Sequence, residues 1–305
     1  NKSFASGVVT AGGCLGILIP PSIMFIVYAV VAALSPLRLF AAAMFPGLML
    51  AGLYIIYVIV AASLNPKLAP KPKLSEIPPR AKIYKDLAVS FLPLFLIIAL
   101  VLGTILGGLA TASEAAAVGA VGAIGLAFFY KTMNWNMFKD SVYLTARTST
   151  MIIWLFVGSS SFASVFAYLG GQDIFEAFFK SLNLQPWQFL IITQIIIFVL
   201  GWPLEWTEII IIFVPIFLPL VKFYGIDPYF FGILIGLNLQ TSFLSPPMAM
   251  AAFYLKGVQG DKVSLKEIFK GGYPFIYIVI FSMVLLYNFQ GLSTWLPTYL
   301  FGQGG

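Results

Sequence analysis

Thr241-Ser242-Phe243-Leu244-Ser245-Pro246-Pro247 lies midway in the long apolar run Tyr229–Leu255. Gly16-Ile17-Leu18-Ile19-Pro20-Pro21-Ser22 lies midway in a second run, Val8–Leu34. Proline has no N–H and its ring crowds the carbonyl four residues back. Two in succession therefore break a helix and free carbonyls at a depth where an unpaired carbonyl is costly. A basic hinge follows each pair, Ser35-Pro36-Leu37-Arg38 and Val263-Ser264-Leu265-Lys266, and then a helix with an early proline, Pro46 or Pro274. The spacing from Pro20 to Pro46 is 26 residues and from Pro246 to Pro274 is 28. The same order at nearly the same spacing reads as an internal repeat.

Working outward from the two pairs, the chain contains nine apolar segments: Val8–Leu34, Leu37–Leu64, Leu87–Leu106, Ala110–Tyr130, Val142–Leu169, Trp187–Gly201, Ile209–Val221, Tyr229–Leu255 and Ile268–Phe289. A membrane span needs about 20 such residues. Trp187–Gly201 and Ile209–Val221 fall short, and a tight, proline-containing turn joins them (Trp202 to Glu208), which predicts a re-entrant hairpin. The 305 residues are 60% hydrophobic and only 9% charged, against about 25% charged in soluble domains. This composition excludes a soluble enzyme, a disordered chain and a nucleic-acid binder. With no His and one Cys, Cys14, the sequence also lacks the means for zinc clusters, Cys–His nucleophiles or disulfides. No phosphate-binding Gly-x-x-x-x-Gly-Lys-Ser/Thr run occurs, so nothing points to ATP.

Lys67, Lys71, Lys73, Arg80, Lys82 and Lys85 crowd the proline-rich segment 65–86, which is read as a cytoplasmic loop. Alternation from there puts Lys131, Lys139, Lys256, Lys262, Lys266 and Lys270 on the same side and leaves Arg38, Lys180 and Lys222 opposite. In this threading the first Pro-Pro helix runs in to out and the second out to in, so the repeat is inverted. Discontinuous helices at matching places in two inverted halves point to a transporter binding site. The freed carbonyls suit a cation, and the half-helix N-terminus beyond each break suits an anion.

The candidate sodium and substrate site therefore takes Gly12, Gly13, Gly16, Pro20, Pro21 and Ser22 from the first broken helix, the glycines being expected to permit an unwound backbone. From the hairpin and the second broken helix it takes Gly201, Glu205, Thr207, Gly236, Asn238, Thr241, Ser242, Ser245, Pro246 and Pro247. Glu205 and Glu208 are intramembrane acids, hence candidates for function; equally, both suit the first turn of a helix. Arg147 is a possible contact for a substrate carboxylate, with snorkelling the equally simple alternative. Gln240 adds a side-chain oxygen to the second copy. Ser159, Ser160 and Ser161 could bond across helices or line the cavity, with back-bonding within their own helix the leading reading, and Thr111-x-x-Glu114 is expected to form a capping box. Cys14 reads as a packing residue, and Trp135–Asp140 and Asp173–Leu184 as short surface helices. The second hairpin begins about 60 residues before its Pro-Pro, whereas only 19 residues precede Pro20, so the repeat predicts a first hairpin upstream of residue 1.

At this point a resemblance can be named. Thr10-Ala11-Gly12-Gly13-Cys14-Leu15-Gly16-Ile17-Leu18-Ile19-Pro20-Pro21-Ser22 resembles the signature of the large membrane subunit of tripartite ATP-independent periplasmic (TRAP) transporters. Gly108 to Val118, Gly225 to Gly232 and Asn238 to Pro247 agree in the right order, and Thr145 to Met151 is similar to the subgroup labelled for mannitol or chloroaromatic compounds. The chain departs from the family in Ala110-Thr111-Ala112-Ser113-Glu114 and in Ser245, where Thr is commoner. The resemblance implies an all-α, inverted-repeat elevator of the ion-transporter superfamily in the bacterial inner membrane. It implies sodium-coupled symport of an organic acid, with sodium ions as the only metal and no cofactor. The implied partners are a periplasmic substrate-binding protein, a small four-helix membrane subunit and the lipid bilayer. On this reading 1–34 is the first broken helix, 35–64 a scaffold helix, and 87–185 scaffold helices and a connecting arm. The re-entrant hairpin is 186–221, the second broken helix 222–257, and the C-terminal scaffold helix and tail 258–305. The alternative is a non-transporting assembly or receptor subunit.

Overall fold

The structure, a computed structural model, describes residues 1–70 and 78–302. Lys71 and Lys73, which anchor the cytoplasmic assignment, lie outside the described residues. In chain order the helices are α1 (Lys2–Leu18), α2 (Ile23–Ala32), α3 (Pro36–Leu64), α4 (Arg80–Ser90), α5 (Leu92–Leu106), α6 (Ala112–Phe129), α7 (Trp135–Tyr168) and α8 (Gly171–Ser181). They continue with α9 (Pro186–Leu200), α10 (Trp206–Glu208), a π-helical turn Ile209–Phe213, α11 (Val214–Phe223), α12 (Pro228–Leu244), α13 (Met250–Gln259), α14 (Leu265–Asn288) and α15 (Gly291–Phe301). Among the described residues every regular element is helical, and six helices are long and apolar enough to cross a membrane, or seven if α1 and α2, bent by 41°, count as one. The chain is an all-α membrane protein.

The helix boundaries follow from the sequence. Ser35, Thr111 and Ser264 cap α3, α6 and α14 by accepting a hydrogen bond from the N–H three residues on, and Glu114 and Glu267 close the last two boxes from the other side. Pro36, Pro186 and Pro228 open α3, α9 and α12, where a missing N–H costs nothing. The helices on either side of the two Pro-Pro pairs match in length: α1 and α12 have 17 residues each, α2 and α13 have 10 each. Both prolyl-prolyl bonds are cis, and α3 and α14, the second helices after them, each carry a serine N-cap and an internal proline.

The chain forms two compact units, Asn1–Ala69 with Trp154–Gly305, and Pro70–Ile153. In the first, α12 is the axis: every residue from Phe230 to Leu244 is buried. Around it pack α14, α9, α3, α1 and α2. Apolar burial cannot hold helices together in lipid, where the surroundings are equally apolar, so close approach through small residues must do so. Gly7 of α1 and Gly271 of α14 meet backbone to backbone; a Cβ on Gly271 would lie 1.8 Å from the Ser3 carbonyl oxygen. Gly232 and Gly236 form a notch on α12 that receives Tyr28 and Phe25 of α2, and the Tyr28 hydroxyl donates to the Pro228 carbonyl at 2.7 Å. The helices α3 and α14, assigned to a scaffold from sequence, thus pack on the broken helices within one unit.

Two segments differ from the sequence reading, the C-terminal tail and Trp135–Asp140, and the structure specifies two others further, α8 and α4. The C-terminal tail contains a helix, α15, lying along α3, where the Arg38 guanidinium donates to the Phe301 carbonyl at 3.2 Å and Trp295 meets Phe45 edge-on. Trp135–Asp140 is no separate surface helix but the first turns of the 34-residue α7, because no residue between Trp135 and Tyr168 is a proline or a capping stop. α8 is amphipathic as expected, and it is docked: Phe179 is buried against Phe189, and the Tyr224 hydroxyl donates to its carbonyl at 3.0 Å. In the second unit, Gly119 and Gly122 of α6 face Val101 and Ile97 of α5. Helix α4 starts at Arg80, inside the segment read as loop, and leads through Phe91 into α5.

Candidate functional site

The two breaks are chemically different. At the first, Pro20 and Pro21 supply no N–H to the carbonyls of Gly16 and Ile17. The buried Ser22 hydroxyl replaces one donor by bonding the Ile17 carbonyl. Ile19 packs into the gap left by Gly47 of α3. The expected unwinding at Gly12, Gly13 and Gly16 does not occur: α1 is helical through Leu18, and these three glycines form an open face with no atom within 4 Å of a Cβ built on them. Two prolines suffice to break the helix, so the glycines upstream of them need not.

At the second break, Pro246 and Pro247 supply no N–H to the carbonyls of Ser242 and Phe243. Ser245 precedes the prolines instead of following them, and its buried hydroxyl oxygen has no partner. The hydroxyls of Thr241 and Ser242 donate back to Asn238 and Leu239, each at 2.7 Å. Their protons are committed, while lone pairs on both oxygens remain. Here, then, carbonyl and hydroxyl oxygens collect without matching donors.

The hairpin, α9 to α11, is held against this end of α12. Gly201 lets its tip approach, since a Cβ there would stand 2.9 Å from the Ser242 Cβ. The Asn238 amide donates to both the carbonyl and the side-chain oxygen of Gln194, at 2.7 and 2.9 Å, which fixes α9 on α12. In the tip, Thr207 is buried and its hydroxyl has no partner. Glu205 is the N-cap of α10 and its N–H donates to the Glu208 carboxylate at 2.5 Å. Glu208 thus lies in the first turn of α10 and Glu205 caps it, so the helix begins after Pro203, at Trp206.

Gly236 faces Phe25 and Met24, so its lack of a side chain serves packing. Arg147 is exposed, on the part of α7 that belongs to the other unit. Gln194 had no place in the sequence reading, whereas Gln240 and Ser159 did, the first as a side-chain oxygen of the second copy and the second for back-bonding or a bond across helices. Gln194 and Gln240 are buried amides in apolar helices, with Gln194 Nε2 and Gln240 Oε1 unpartnered; their polarity amid isoleucines and leucines was the available signal. Ser159 does not back-bond as Ser160 and Ser161 do, but donates to the Ile211 carbonyl at 2.6 Å.

The half-helices beyond the breaks complete the arrangement. Neither α2 nor α13 has a side-chain cap or an acid in its first turn, so their N–H groups and positive dipole ends are unopposed. Among the described residues no three His, Cys, Asp or Glu side chains gather; a cation at the second break would be met by neutral oxygens, a set that suits a hard monovalent ion. A cavity of about 440 Å³ between α9, α12 and α14 touches Asn238 and Gln194 but is walled by Trp187, Ile191, Phe198, Leu234 and other apolar side chains, which does not suit a carboxylate.

A family model described as Tripartite ATP-independent periplasmic transporter, DctM component, matches residues 1–292. The C4-dicarboxylate TRAP transporter large permease protein of Pseudomonas aeruginosa is 30% identical over 300 residues, covering 98% of this chain and 68% of that protein. Its counterpart in Vibrio cholerae is 28% identical over 99% of this chain and 70% of its own length. The sialic acid TRAP transporter large permease protein of Vibrio cholerae is 27% identical, covering 100% and 70%.

Proposed function

Because the chain belongs to the DctM-component family of TRAP transporters, large permeases that are multi-pass inner-membrane transporters and not enzymes, we propose that it imports an organic acid by sodium-coupled symport. The second break carries this reading: oxygens without donors end α12, and an uncapped helix N-terminus begins α13. Sodium sits among the Ser242 and Phe243 carbonyls, Ser245 and the hairpin tip. The substrate carboxylate faces the N–H groups of the half-helices. The body that moves is the unit holding both broken helices, the hairpin, α3 and α14, in an elevator-like exchange of access. The relatives' names support the substrate class, since they carry C4-dicarboxylates and sialic acid. A periplasmic binding protein delivers the acid and a small membrane subunit braces the assembly.

The test is thermal stability in detergent, titrated with sodium against potassium at equal ionic strength. A ligand that binds only the folded state stabilises it by about 2.7 kcal/mol at one hundred times its Kd, so a sodium-selective rise in melting temperature is expected. No selective shift in the complete transporter counts against sodium coupling and favours a proton-driven or non-transporting protein. In reconstituted vesicles, uptake is expected to stop when the binding protein is omitted; robust uptake of free substrate indicates an ordinary symporter.

A further inference from the structure

Three times among the described residues a hydroxyl replaces the N–H that a proline lacks. Ser22 bonds the Ile17 carbonyl, four residues before Pro21. The Tyr130 hydroxyl bonds the Val89 carbonyl, four residues before Pro93. Ser159 bonds the Ile211 carbonyl, four residues before Pro215. The third case joins α7 to the hairpin. Ser159 is the buried residue of α7, and Ile211 is the centre of the π-helical turn.

That turn is where Pro215 acts. In α-helical register the Pro215 nitrogen would face the Ile211 carbonyl with no hydrogen to give and with its ring in the way. A π turn relieves the clash by widening the helix, and leaves an acceptor that needs a donor from outside. Ile209, Ile210 and Ile211 are all buried at this point, so water is a poor substitute. The turn follows directly on Trp206–Glu208, the single helical turn that carries Thr207.

We propose that Ser159 is a positioning residue for the hairpin tip: by supplying the donor that Pro215 removes, it fixes the π turn and so the placement of Thr207 and Glu205 in the tip, beside α2. A shift at the turn rotates the tip by a fraction of a residue and withdraws the Thr207 oxygen. The uptake arm of the test rests on the proposed sodium coupling; the labelling arm does not.

The test uses the complete transporter with its partners and the variants Ser159→Ala, Ser159→Thr, Pro215→Ala and the double variant Ser159→Ala/Pro215→Ala. Tip placement is read as the maleimide labelling rate of Trp202→Cys, Cys14 being buried. Site quality is read as the sodium concentration giving half-maximal uptake. Loss of one hydrogen bond to a buried carbonyl should change each reading about five- to tenfold in Ser159→Ala, with maximal uptake within about twofold. Ser159→Thr should restore both. With Pro215→Ala the backbone again offers Ile211 an N–H, so adding Ser159→Ala should change little. An equal defect with and without Pro215, or an unchanged labelling rate in Ser159→Ala, overturns the proposal. If Ser159→Ala does not accumulate, accumulation of the double variant supports it and failure of the double variant overturns it. A labelling change in a protein whose uptake ignores sodium upholds the positioning role and removes the sodium reading instead.

Discussion

Gly271→Val is expected to prevent the first unit from assembling, with most of the protein lost from the monodisperse fraction in detergent. The reason is geometric. A Cβ at position 271 would stand 1.8 Å from the Ser3 carbonyl oxygen and 2.8 Å from the Gly7 nitrogen, and a Cβ at Gly7 would stand 2.1 Å from the Gly271 oxygen. These neighbours are backbone, so no rotamer change relieves the clash; the helices must separate. The α1–α14 crossing is the most extensive helix contact in the molecule, and it holds the first broken helix to the helix that follows the second. Overpacking ordinarily costs about 1–3 kcal/mol, and a clash between two backbones belongs above that range. Gly271→Ala should show the same defect more mildly. Gly52→Ala is the control: it too is a helical glycine, with nothing within 4 Å, and alanine there should be neutral or stabilise by up to about 1 kcal/mol through the unfolded chain. Size-exclusion profiles and melting temperatures of the three variants decide it. Equal behaviour of Gly271→Ala and Gly52→Ala refutes the crossing.

The contrast between these glycines shows where sequence reading stops. Gly12, Gly13 and Gly16 attracted attention because they sit beside a Pro-Pro, yet they are helical and open. Gly7 and Gly271 carry the packing, and no local pattern marks them, because what makes each necessary lies 264 positions away. Backbone rules, by contrast, were readable. Pro20-Pro21 and Pro246-Pro247 break their helices, Ser35, Thr111 and Ser264 start theirs, and the repeat gives matching helices of 17 and 10 residues. Each of these depends on groups within four residues of one another. The site was legible to the same extent: the breaks and Gly201 were found, but which break retains unpartnered oxygens was not. That depends on whether a serine falls after the prolines, as Ser22 does, or before them, as Ser245 does. The packing role of Gly236 was hidden for the same reason as that of Gly271, being set by Phe25 on another helix. Helix α15 escaped notice because Pro297 and two glycines nearby look like a tail, while its fixing partners are on α3.

Replacing Pro246 and Pro247 together by alanine should abolish sodium-coupled uptake while leaving the protein at least as stable as before. Alanine returns an N–H at each position, so the Ser242 and Phe243 carbonyls regain helical donors and α12 can continue into α13. Proline in a helix interior costs roughly 3 kcal/mol relative to alanine, so the two prolines set the break, and alanine at both positions favours a helix that closes across it. The same change eliminates the features proposed to bind: the oxygens at the end of α12 become satisfied and the N-terminus of α13 disappears into a continuous helix. The sodium-dependent rise in melting temperature should therefore vanish, although the melting temperature without sodium is unchanged or higher. That combination separates a binding role from a structural one, since a protein that has merely lost its fold melts lower in both conditions. Pro20→Ala with Pro21→Ala is the comparison. There the Ser22 hydroxyl already serves the Ile17 carbonyl, so closing the helix removes fewer unpartnered oxygens and should weaken the sodium response less. Retained sodium-dependent uptake in the Pro246, Pro247 variant would place the ion elsewhere and leave the second break as a bend alone. An equal loss at both pairs would mean that the two breaks bind in concert, and that a serine after the prolines does not spare its break from the site.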